Sequence, residues 1–115
     1  MITVHLATAL ICFSGRCHPA LVGADTPRGT YPIVHAATRE PGYGGDVLAF
    51  ARDAHGVYAI HRVWTRIPSE RRAQRIQSVN AADRNQVTHG CINVTADVYD
   101  ALVDCCSTDK LIIQN

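Results

Sequence analysis

The six residues 88–93 hold the side chains best suited to covalent chemistry, in the order Thr-His-Gly-Cys-Ile-Asn. Cys91 is a potential nucleophile, but sulfur attacks as the thiolate and a free cysteine has a pKa of about 8.5, so it needs a basic partner. His89 lies two residues before it and His61 lies upstream. Gly90 permits a tight turn that aims backbone N–H groups at a developing oxyanion. These residues supply three of the parts that acyl transfer requires.

Two apolar runs upstream of this turn indicate the strand that carries one of the histidines. Residues 47–50 and 57–63 are joined by Arg-Asp-Ala-His-Gly, a pattern that predicts a β-hairpin. His61 lies near the end of the second run. A strand histidine is more often structural than catalytic, so the pattern by itself leaves its role open.

The N-terminal residues predict another hairpin. Residues 2–13 alternate imperfectly and are interpreted as a strand, Ser-Gly at 14–15 marks a turn, and residues 17–22 resume an apolar stretch. A two-residue loop would place Cys12 opposite Cys17 at a non-hydrogen-bonded pair, where a disulfide fits. Two buried thiols that pack as small apolar groups are the slightly favoured alternative.

The other cysteines are assigned by counting. Five cysteines cannot all pair within one chain, so at least one thiol stays free, and Cys91 is the natural candidate. Cys105 and Cys106 are predicted to be buried thiols at a helix end, because a disulfide between adjacent residues is strained.

Residues 31–36 predict a short strand that Pro32 places at a sheet edge. His35 within it is interpreted as structural. Glu-Pro-Gly-Tyr-Gly-Gly at 40–45 predicts a loop, and Tyr43 is interpreted as an exposed loop residue rather than part of a cleft.

Two short helices are expected around the turn. Pro-Ser-Glu at 68–70 predicts a helix start with Ser69 as its cap. Apolar residues at helical spacing predict a second helix over 95–103, with Thr95 as its cap.

Length and charge limit the classes of function. A chain of 115 residues with 47% hydrophobic content is one domain with a modest core. Eleven basic residues nearly balance ten acidic ones, so the molecule as a whole lacks the charge of a nucleic-acid-binding protein. Residues 1–13 lack the flanks of a signal peptide and are shorter than the roughly 20 residues that span a bilayer. They are interpreted as a strand of the folded domain.

Positive charge is concentrated between the candidate base and the candidate nucleophile. Residues 62–84 hold six arginines against two acidic residues, a net charge of +4. We expect the arginine-rich segment from Arg62 to Arg84 to form one wall of the substrate cleft and to bind carboxylates, because the arginine fork holds a carboxylate through two N–H groups. Arg71, Arg72 and Arg75 are the residues whose replacement tests this. A solvated helix face is the alternative.

These motifs resemble those of the L,D-transpeptidase catalytic domain, the YkuD domain. Residues 88–93 match its Ser/Thr-His-Gly-Cys-hydrophobic-Asn signature, with Asn93 where many relatives carry arginine. Thr-Pro-Arg-Gly-Thr-Tyr at 26–31 resembles the family's Thr-Pro-x-Gly-x-aromatic stretch. Ala-Ile-His at 59–61 resembles its histidine-bearing strand, and Lys-Leu-Ile-Ile at 110–113 its last strand. The resemblance covers nearly the whole chain, although the segment that follows the first histidine is longer than in many members.

The resemblance implies a fold and a set of roles. The fold would be mostly β, a mixed α/β YkuD-like β-sandwich with one or two short helices, and residues 1–115 would form one catalytic domain. Cys91 would be the nucleophile and His61 the general base, oriented by a main-chain carbonyl near Arg62. His89 and Gly90 would shape the site, with the Gly90 and Cys91 N–H groups as the oxyanion hole. The predicted substrate-binding residues are Arg62, Arg71, Arg75, Thr88 and Asn93. Thr88 and Asn93 would also hold the turn by hydrogen bonds.

The resemblance further implies a substrate and a location. A peptidoglycan tetrapeptide stem would acylate Cys91, and the acyl group would pass to an amine, giving a cross-link or D-amino-acid exchange, or to water, giving L,D-carboxypeptidase activity. Carbapenems would acylate the same thiol. The expected protein is a monomer without cofactor, metal, nucleic acid or membrane span, acting in the bacterial periplasm or cell envelope or as a secreted effector.

Two other functions stay open at this point. One is a peptidoglycan-binding protein that has lost catalysis, against which the intact cysteine and histidines argue. The other is a metal-binding module built from His61, His89 and Cys91. Its His-x-Cys spacing differs from the usual structural zinc patterns, and the chain contains no Cys-x-x-Cys.

Overall fold

Nine strands and two α-helices make up the computed structural model, which describes residues 1–115. The strands are β1 (Ile2–His5), β2 (Leu10–Phe13), β3 (Arg16–Pro19), β4 (Gly29–Pro32), β5 (Val34–Ala37), β6 (Asp46–Asp53), β7 (Gly56–Arg62), β8 (Ile92–Val94) and β9 (Lys110–Gln114). The helices are α1 (Arg72–Arg75) and α2 (Ala96–Cys106). Short 3₁₀ turns cover Pro41–Tyr43, Pro68–Glu70 and Ala81–Asp83.

The strands form two sheets with one apolar core. The five-stranded sheet has the order β3-β2-β1-β9-β4, and the four-stranded sheet has the order β5-β6-β7-β8. Neighbours are antiparallel except for β1 with β9 and β7 with β8, which are parallel. Buried side chains from both sheets and from α2 pack into a single cluster, and burial of this kind is the main force that stabilises a fold. The predicted mostly β, mixed α/β sandwich is confirmed.

The first predicted strand is interrupted by a turn. β1 ends at His5 and β2 begins at Leu10, and Ala9 between them has a φ of 51°. The turn carries neither glycine nor proline, so no local pattern marks it. Its support is tertiary, because the buried Arg84 guanidinium donates to the Thr8 and Ala9 carbonyls. The predicted turn at residues 14–15 is confirmed by the pairing of β2 with β3.

The cysteines pair differently from the prediction. Cys12 lies opposite Cys17 and is joined to it by a disulfide, which corrects the favoured interpretation of two thiols. Cys105 is likewise joined to Cys106, so the prediction of buried thiols there is wrong. On α2, Cys106 packs into the core whereas Cys105 is exposed, since adjacent helical residues point in different directions. Cys91 is the free cysteine, as predicted.

Residues 31–36, predicted as one strand, are divided between the two sheets. β4 pairs with β9 and β5 pairs with β6, with the buried Ile33 at the crossing. Pro32 has no N–H to continue a ladder, which accounts for the end of β4 there. Both strands are sheet edges, in agreement with the prediction. His35 contacts Asp46, with 2.7 Å between Nε2 and Oδ2, as a structural histidine would.

The two helices lie where the sequence predicts them, but their caps differ. Ser69 makes no cap hydrogen bond, and α1 begins after Arg71, which has a φ of 55°. Thr95 is the N-cap residue of α2 as predicted. Its hydroxyl lies 2.5 Å from Asp97 Oδ1 instead of bonding to a backbone N–H.

Candidate active site

The parallel pairing of β7 with β8 brings the candidate base and nucleophile to one face of the four-stranded sheet. His61 pairs with Asn93 in register, and Cys91 lies two residues before Asn93. Side chains of a strand alternate between faces, and Ile60 and Ile92 point into the core. Cys91, His61 and Asn93 therefore lie on the face that is turned away from the core.

Cys91 and His61 line two adjoining depressions. The first, here named the Trp64 cleft, has a volume of about 310 Å³ and also includes Arg72. The second, here named the β5 groove, has a volume of about 590 Å³ and runs over small apolar side chains of β5, β6 and β7. Tyr43 borders both depressions. The thiol is thus approachable from two sides.

His61 is a buried imidazole held by its two ring nitrogens. Its Nδ1–H donates to the Arg62 carbonyl at 2.6 Å, the main-chain contact that the resemblance implies. Its Nε2 lies 3.4 Å from Asn93 Nδ2. Burial lowers the pKa of His61 to about 4, the positive charge of Arg72 acts in the same direction, and the bond to the Arg62 carbonyl opposes them. The ring is therefore neutral, and able to accept a proton, at neutral pH.

Cys91 is held as a thiol. Burial raises its pKa, while a backbone hydrogen bond from Ala59 and the charge of Arg72 oppose the rise. Its Sγ donates to the Val57 carbonyl at 3.8 Å and makes no hydrogen bond to His61. Attack on a carbonyl consequently requires transfer of the thiol proton to a base.

The turn before Cys91 is fixed by short contacts. Thr88 Oγ1 donates to the Cys91 carbonyl at 2.7 Å, so Thr88 holds the turn as predicted. Gly90 has a φ of 141°, and a Cβ at this position would lie 2.2 Å from the Tyr58 ring. A Cβ on Gly23 would lie 1.9 Å from the Thr88 carbonyl oxygen on the other side. The backbone therefore requires glycine at both positions.

One of the two predicted oxyanion donors is occupied. The Gly90 N–H donates to Thr88 Oγ1 at 3.1 Å, so its predicted part in the oxyanion hole requires that this bond be exchanged for one to the substrate. The Cys91 N–H donates to no group of the chain and remains available. His89 is exposed and lines the Trp64 cleft.

Asn93 does not contact the solvent, so the structure does not place it where a substrate could reach it, and its predicted substrate-binding role stays a prediction. The residue is completely buried. Its Oδ1 accepts hydrogen bonds from the Trp64 backbone N–H at 3.0 Å and from Arg72 Nη1 at 3.1 Å. Strand alternation alone would direct it to the open face, but the segment that follows β7 folds over it.

Arg62 makes structural contacts within the fold, and its substrate contact stays a prediction. Its Nη1 donates to the Tyr43 carbonyl at 3.0 Å and to Asp46 Oδ1 at 2.8 Å. Its guanidinium lies 4.2 Å from the centre of the Tyr99 ring. These contacts engage the side chain within the fold, and Arg62 does not line the Trp64 cleft.

The arginine-rich segment does not form one wall. Arg71 and Arg75 line a separate depression that contains neither Cys91 nor His61, which corrects their predicted place beside the substrate. Arg72 points the other way and borders the Trp64 cleft. Adjacent residues at the start of α1 point in different directions around the helix axis. Of Arg71, Arg72 and Arg75, only Arg72 therefore reaches the site.

The sequence interpretation missed Tyr43, Trp64 and Glu70, which line the Trp64 cleft. Tyr43 packs on His61 with 4.7 Å between ring centres and on Trp64 with 4.9 Å, so its assignment as an exposed loop residue is wrong. Glu70 borders the Trp64 cleft and pairs with Arg72, with 3.1 Å between Oε1 and Nε. The glycines that flank Tyr43 were the signal in the sequence that this loop packs closely against another part of the chain. The structure shows the reason at Gly42, where a Cβ would lie 2.4 Å from the Trp64 ring.

Two further classes of site have no support in the structure. No group of three or more His, Cys, Asp or Glu side chains is arranged to hold a metal ion, which leaves the metal-module hypothesis without a ligand set. None of the helices has the length and apolar character needed to cross a bilayer.

Comparison with known proteins places this geometry in a family. The family model of the L,D-transpeptidase catalytic domain, YkuD, matches residues 5–113. A search of curated protein sequences gives no match.

Three solved structures illustrate the shared fold. An L,D-transpeptidase from Mycobacterium smegmatis aligns with a TM-score of 0.57 at 22% identity, over 99% of this chain and 58% of that one. L,D-transpeptidase 1 of Mycobacterium tuberculosis aligns with 0.59 at 17% identity, over 99% and 58%. The L,D-transpeptidase of Xylanimonas cellulosilytica aligns with 0.60 at 15% identity, over 97% and 58%. The chain thus spans little more than half the length of these proteins, and at such identities the likeness shows the fold alone. The match of the family model over nearly the whole chain shows that it belongs to the YkuD family of L,D-transpeptidase catalytic domains.

Proposed function

We propose that residues 1–115 act as a catalytic domain that transfers acyl groups through a Cys91 thioester, with a peptidoglycan tetrapeptide stem as the donor. The observation that carries the proposal is the placement of a free thiol and a buried, neutral imidazole on one open face of the four-stranded sheet. A thiol with a raised pKa gains reactivity from a base of this kind.

Acylation begins with transfer of the Cys91 Sγ proton to His61 Nε2. This transfer requires His61 Nε2 to exchange its contact with Asn93 for one with Sγ. The thiolate then forms a bond to the carbonyl carbon that precedes the terminal D-residue. The developing oxyanion is stabilised by the Cys91 N–H. When the C–N bond breaks, the proton held by His61 passes to the departing amine.

The thioester is then resolved by an acceptor. An amine of a second stem or a free D-amino acid attacks the acyl carbon, His61 takes a proton from that amine, and the C–S bond breaks to return the thiol. Water in place of the amine gives carboxypeptidase activity. The two depressions that meet at Cys91 leave room for donor and acceptor together, which favours transfer. His89, exposed in the Trp64 cleft, contacts the bound stem.

The proposed setting is the bacterial cell envelope, where peptidoglycan stems are found, or the envelope of another bacterium reached by a secreted effector. Carbapenems are the proposed inhibitors, since their strained ring presents an acyl group to the same thiol. Monomeric action is proposed as well, since every residue assigned to the site comes from one chain.

Turnover of a synthetic tetrapeptide donor, followed by mass spectrometry of the released D-residue, tests the proposal. We expect His61→Ala to slow release by about 10²–10⁴-fold, the usual contribution of a general base. His35→Ala is the matched control, because His35 lies in the same sheet and bonds to Asp46 outside the Trp64 cleft. A normal rate in His61→Ala with a slow rate in His89→Ala would assign the base to His89.

The alternative of a binding protein without turnover is tested in the same experiment. It would be supported if wild-type protein released no D-residue yet bound the stem with the same affinity as Cys91→Ala. Release that depends on Cys91 excludes it.

A further inference from the structure

The segment between β7 and β8 places a charged side chain beneath the site. Arg72 is 9% exposed, and its Nη1 donates to Asn93 Oδ1 at 3.1 Å. Its Nε lies 3.1 Å from Glu70 Oε1, so the charge is paired. Burial of an ion pair has a desolvation cost that its Coulombic attraction often fails to offset. Stability alone is therefore a weak explanation for this arrangement.

Arg72 and the Trp64 backbone N–H together determine the orientation of the Asn93 amide. The backbone N–H of Trp64 and Arg72 Nη1 are both donors, and both lie within 3.1 Å of the same Asn93 atom. An amide nitrogen accepts no hydrogen bond, so that atom must be the oxygen. The Asn93 NH₂ group is consequently the end that faces His61 Nε2, at 3.4 Å.

The amide orientation in turn determines where the proton of His61 resides. Asn93 Nδ2 can only donate, so His61 Nε2 must be the unprotonated acceptor. The Arg62 carbonyl can only accept, so His61 Nδ1, 2.6 Å away, must carry the hydrogen. The two contacts select the same neutral tautomer. The ring lone pair of this tautomer is on Nε2, where it accepts from Asn93 until the thiol proton replaces that contact.

We propose that Arg72 is a positioning residue for acyl transfer, which fixes the Asn93 amide and through it the His61 tautomer that can accept the Cys91 proton. This inference rests on the roles proposed for Cys91 and His61. The charge of Arg72 has two effects at the site: it opposes the rise in the pKa of Cys91, which favours the thiolate, and it lowers the pKa of His61, which keeps the ring neutral but makes it a weaker base.

Nitrogen NMR of ¹⁵N-labelled protein tests the proposal, because it reads the His61 tautomer without turnover. We expect wild-type His61 to carry its hydrogen on Nδ1. Arg72→Met should add some of the Nε2–H tautomer, because the Asn93 oxygen then keeps only the Trp64 N–H as a donor and the amide can turn in part of the molecules. Arg75→Met is the matched control: it removes the same charge from the same helix, but Arg75 lines the separate depression. A hydrogen on Nε2 in wild type, or an unchanged tautomer in Arg72→Met, would overturn the proposal.

A second variant covers the case in which Arg72→Met does not fold. Asn93→Asp replaces the donor that faces His61 with an acceptor, and we expect the ring to become protonated on Nε2. Persistence of the Nδ1–H tautomer alone in this variant would also overturn the proposal.

Alkylation of Cys91 by iodoacetamide supplies the kinetic readout. A higher pKa lowers the thiolate fraction of Cys91 at neutral pH, so Arg72→Met should react more slowly than Arg75→Met. Equal rates in the two variants would contradict the charge effect. The His61 tautomer does not depend on whether Cys91 is the nucleophile. Failure of the proposed function is therefore distinguishable from failure of the proposal about Arg72.

Discussion

Acidification should destabilise the fold through His61 before the carboxylates titrate. Burial and the Arg72 charge lower the pKa of this histidine from 6.5 to about 4 in the folded protein. The unfolded chain therefore binds the proton more readily between these two values. The contribution of neutral His61 to stability is fully present above the pKa that this group has in the unfolded chain. It is lost as pH falls toward the pKa of His61 in the folded protein.

The size of the effect follows from the pKa difference. The full shift corresponds to about 3 kcal/mol, at 1.36 kcal/mol for each pKa unit. Between about pH 7 and about pH 5 the loss is about 2 kcal/mol. His61 is 3% exposed, so solvent screening does not reduce this figure much. For a protein of marginal stability, this is a large fraction of the total.

Urea unfolding followed by far-UV circular dichroism across this pH range measures the loss. His61→Gln is the control, because it removes the titrating group and keeps the other five histidines and all carboxylates. The wild type should lose about 2 kcal/mol more than the variant between about pH 7 and about pH 5. If both proteins lose the same amount, His61 titrates near its ordinary pKa in the folded state and the assignment of a buried neutral base is refuted.

Three other predictions concern the turn, the thiol and the surface arginines. Gly90→Ala should destabilise the fold by roughly 1–3 kcal/mol, because its backbone conformation disfavours a side chain and the new Cβ would meet the Tyr58 ring, and unchanged urea unfolding would contradict this. The rate of Cys91 alkylation should keep rising beyond about pH 9, since burial raises its pKa, whereas a plateau near neutral pH would show a stable thiolate. Replacing Arg71 and Arg75 with Gln should leave KM for the donor and its salt dependence unchanged, because they line a separate depression, and a raised KM would return them to the substrate site.

The parts of the fold with a local signal were predictable from the sequence. The hairpin that carries His61 follows from two apolar runs and the short polar link between them, and the structure forms it as β6 and β7. Cys91 is left unpaired because five cysteines cannot all pair. The turn at residues 6–9 was missed, because its stability comes from Arg84, more than 70 positions away in sequence.

The surroundings of the candidate site were less predictable because they depend on tertiary contacts. Arg71 and Arg72 are adjacent and chemically identical, yet one faces a surface depression and the other lies under the site. Asn93 was expected to bind substrate on the basis of its motif, but its amide is buried and contacts Trp64 and Arg72. Nothing in the residue types alone distinguishes these outcomes.

The intact mass of the protein after incubation with a carbapenem tests the central claim most directly. The account predicts one adduct per chain, which peptide mapping places on Cys91 and which disappears in Cys91→Ser and Cys91→Ala. Both variants should retain the wild-type circular dichroism spectrum, so that loss of the adduct reports chemistry and not unfolding. An adduct on any of the four other cysteines, or an adduct that persists in Cys91→Ala, would contradict the account.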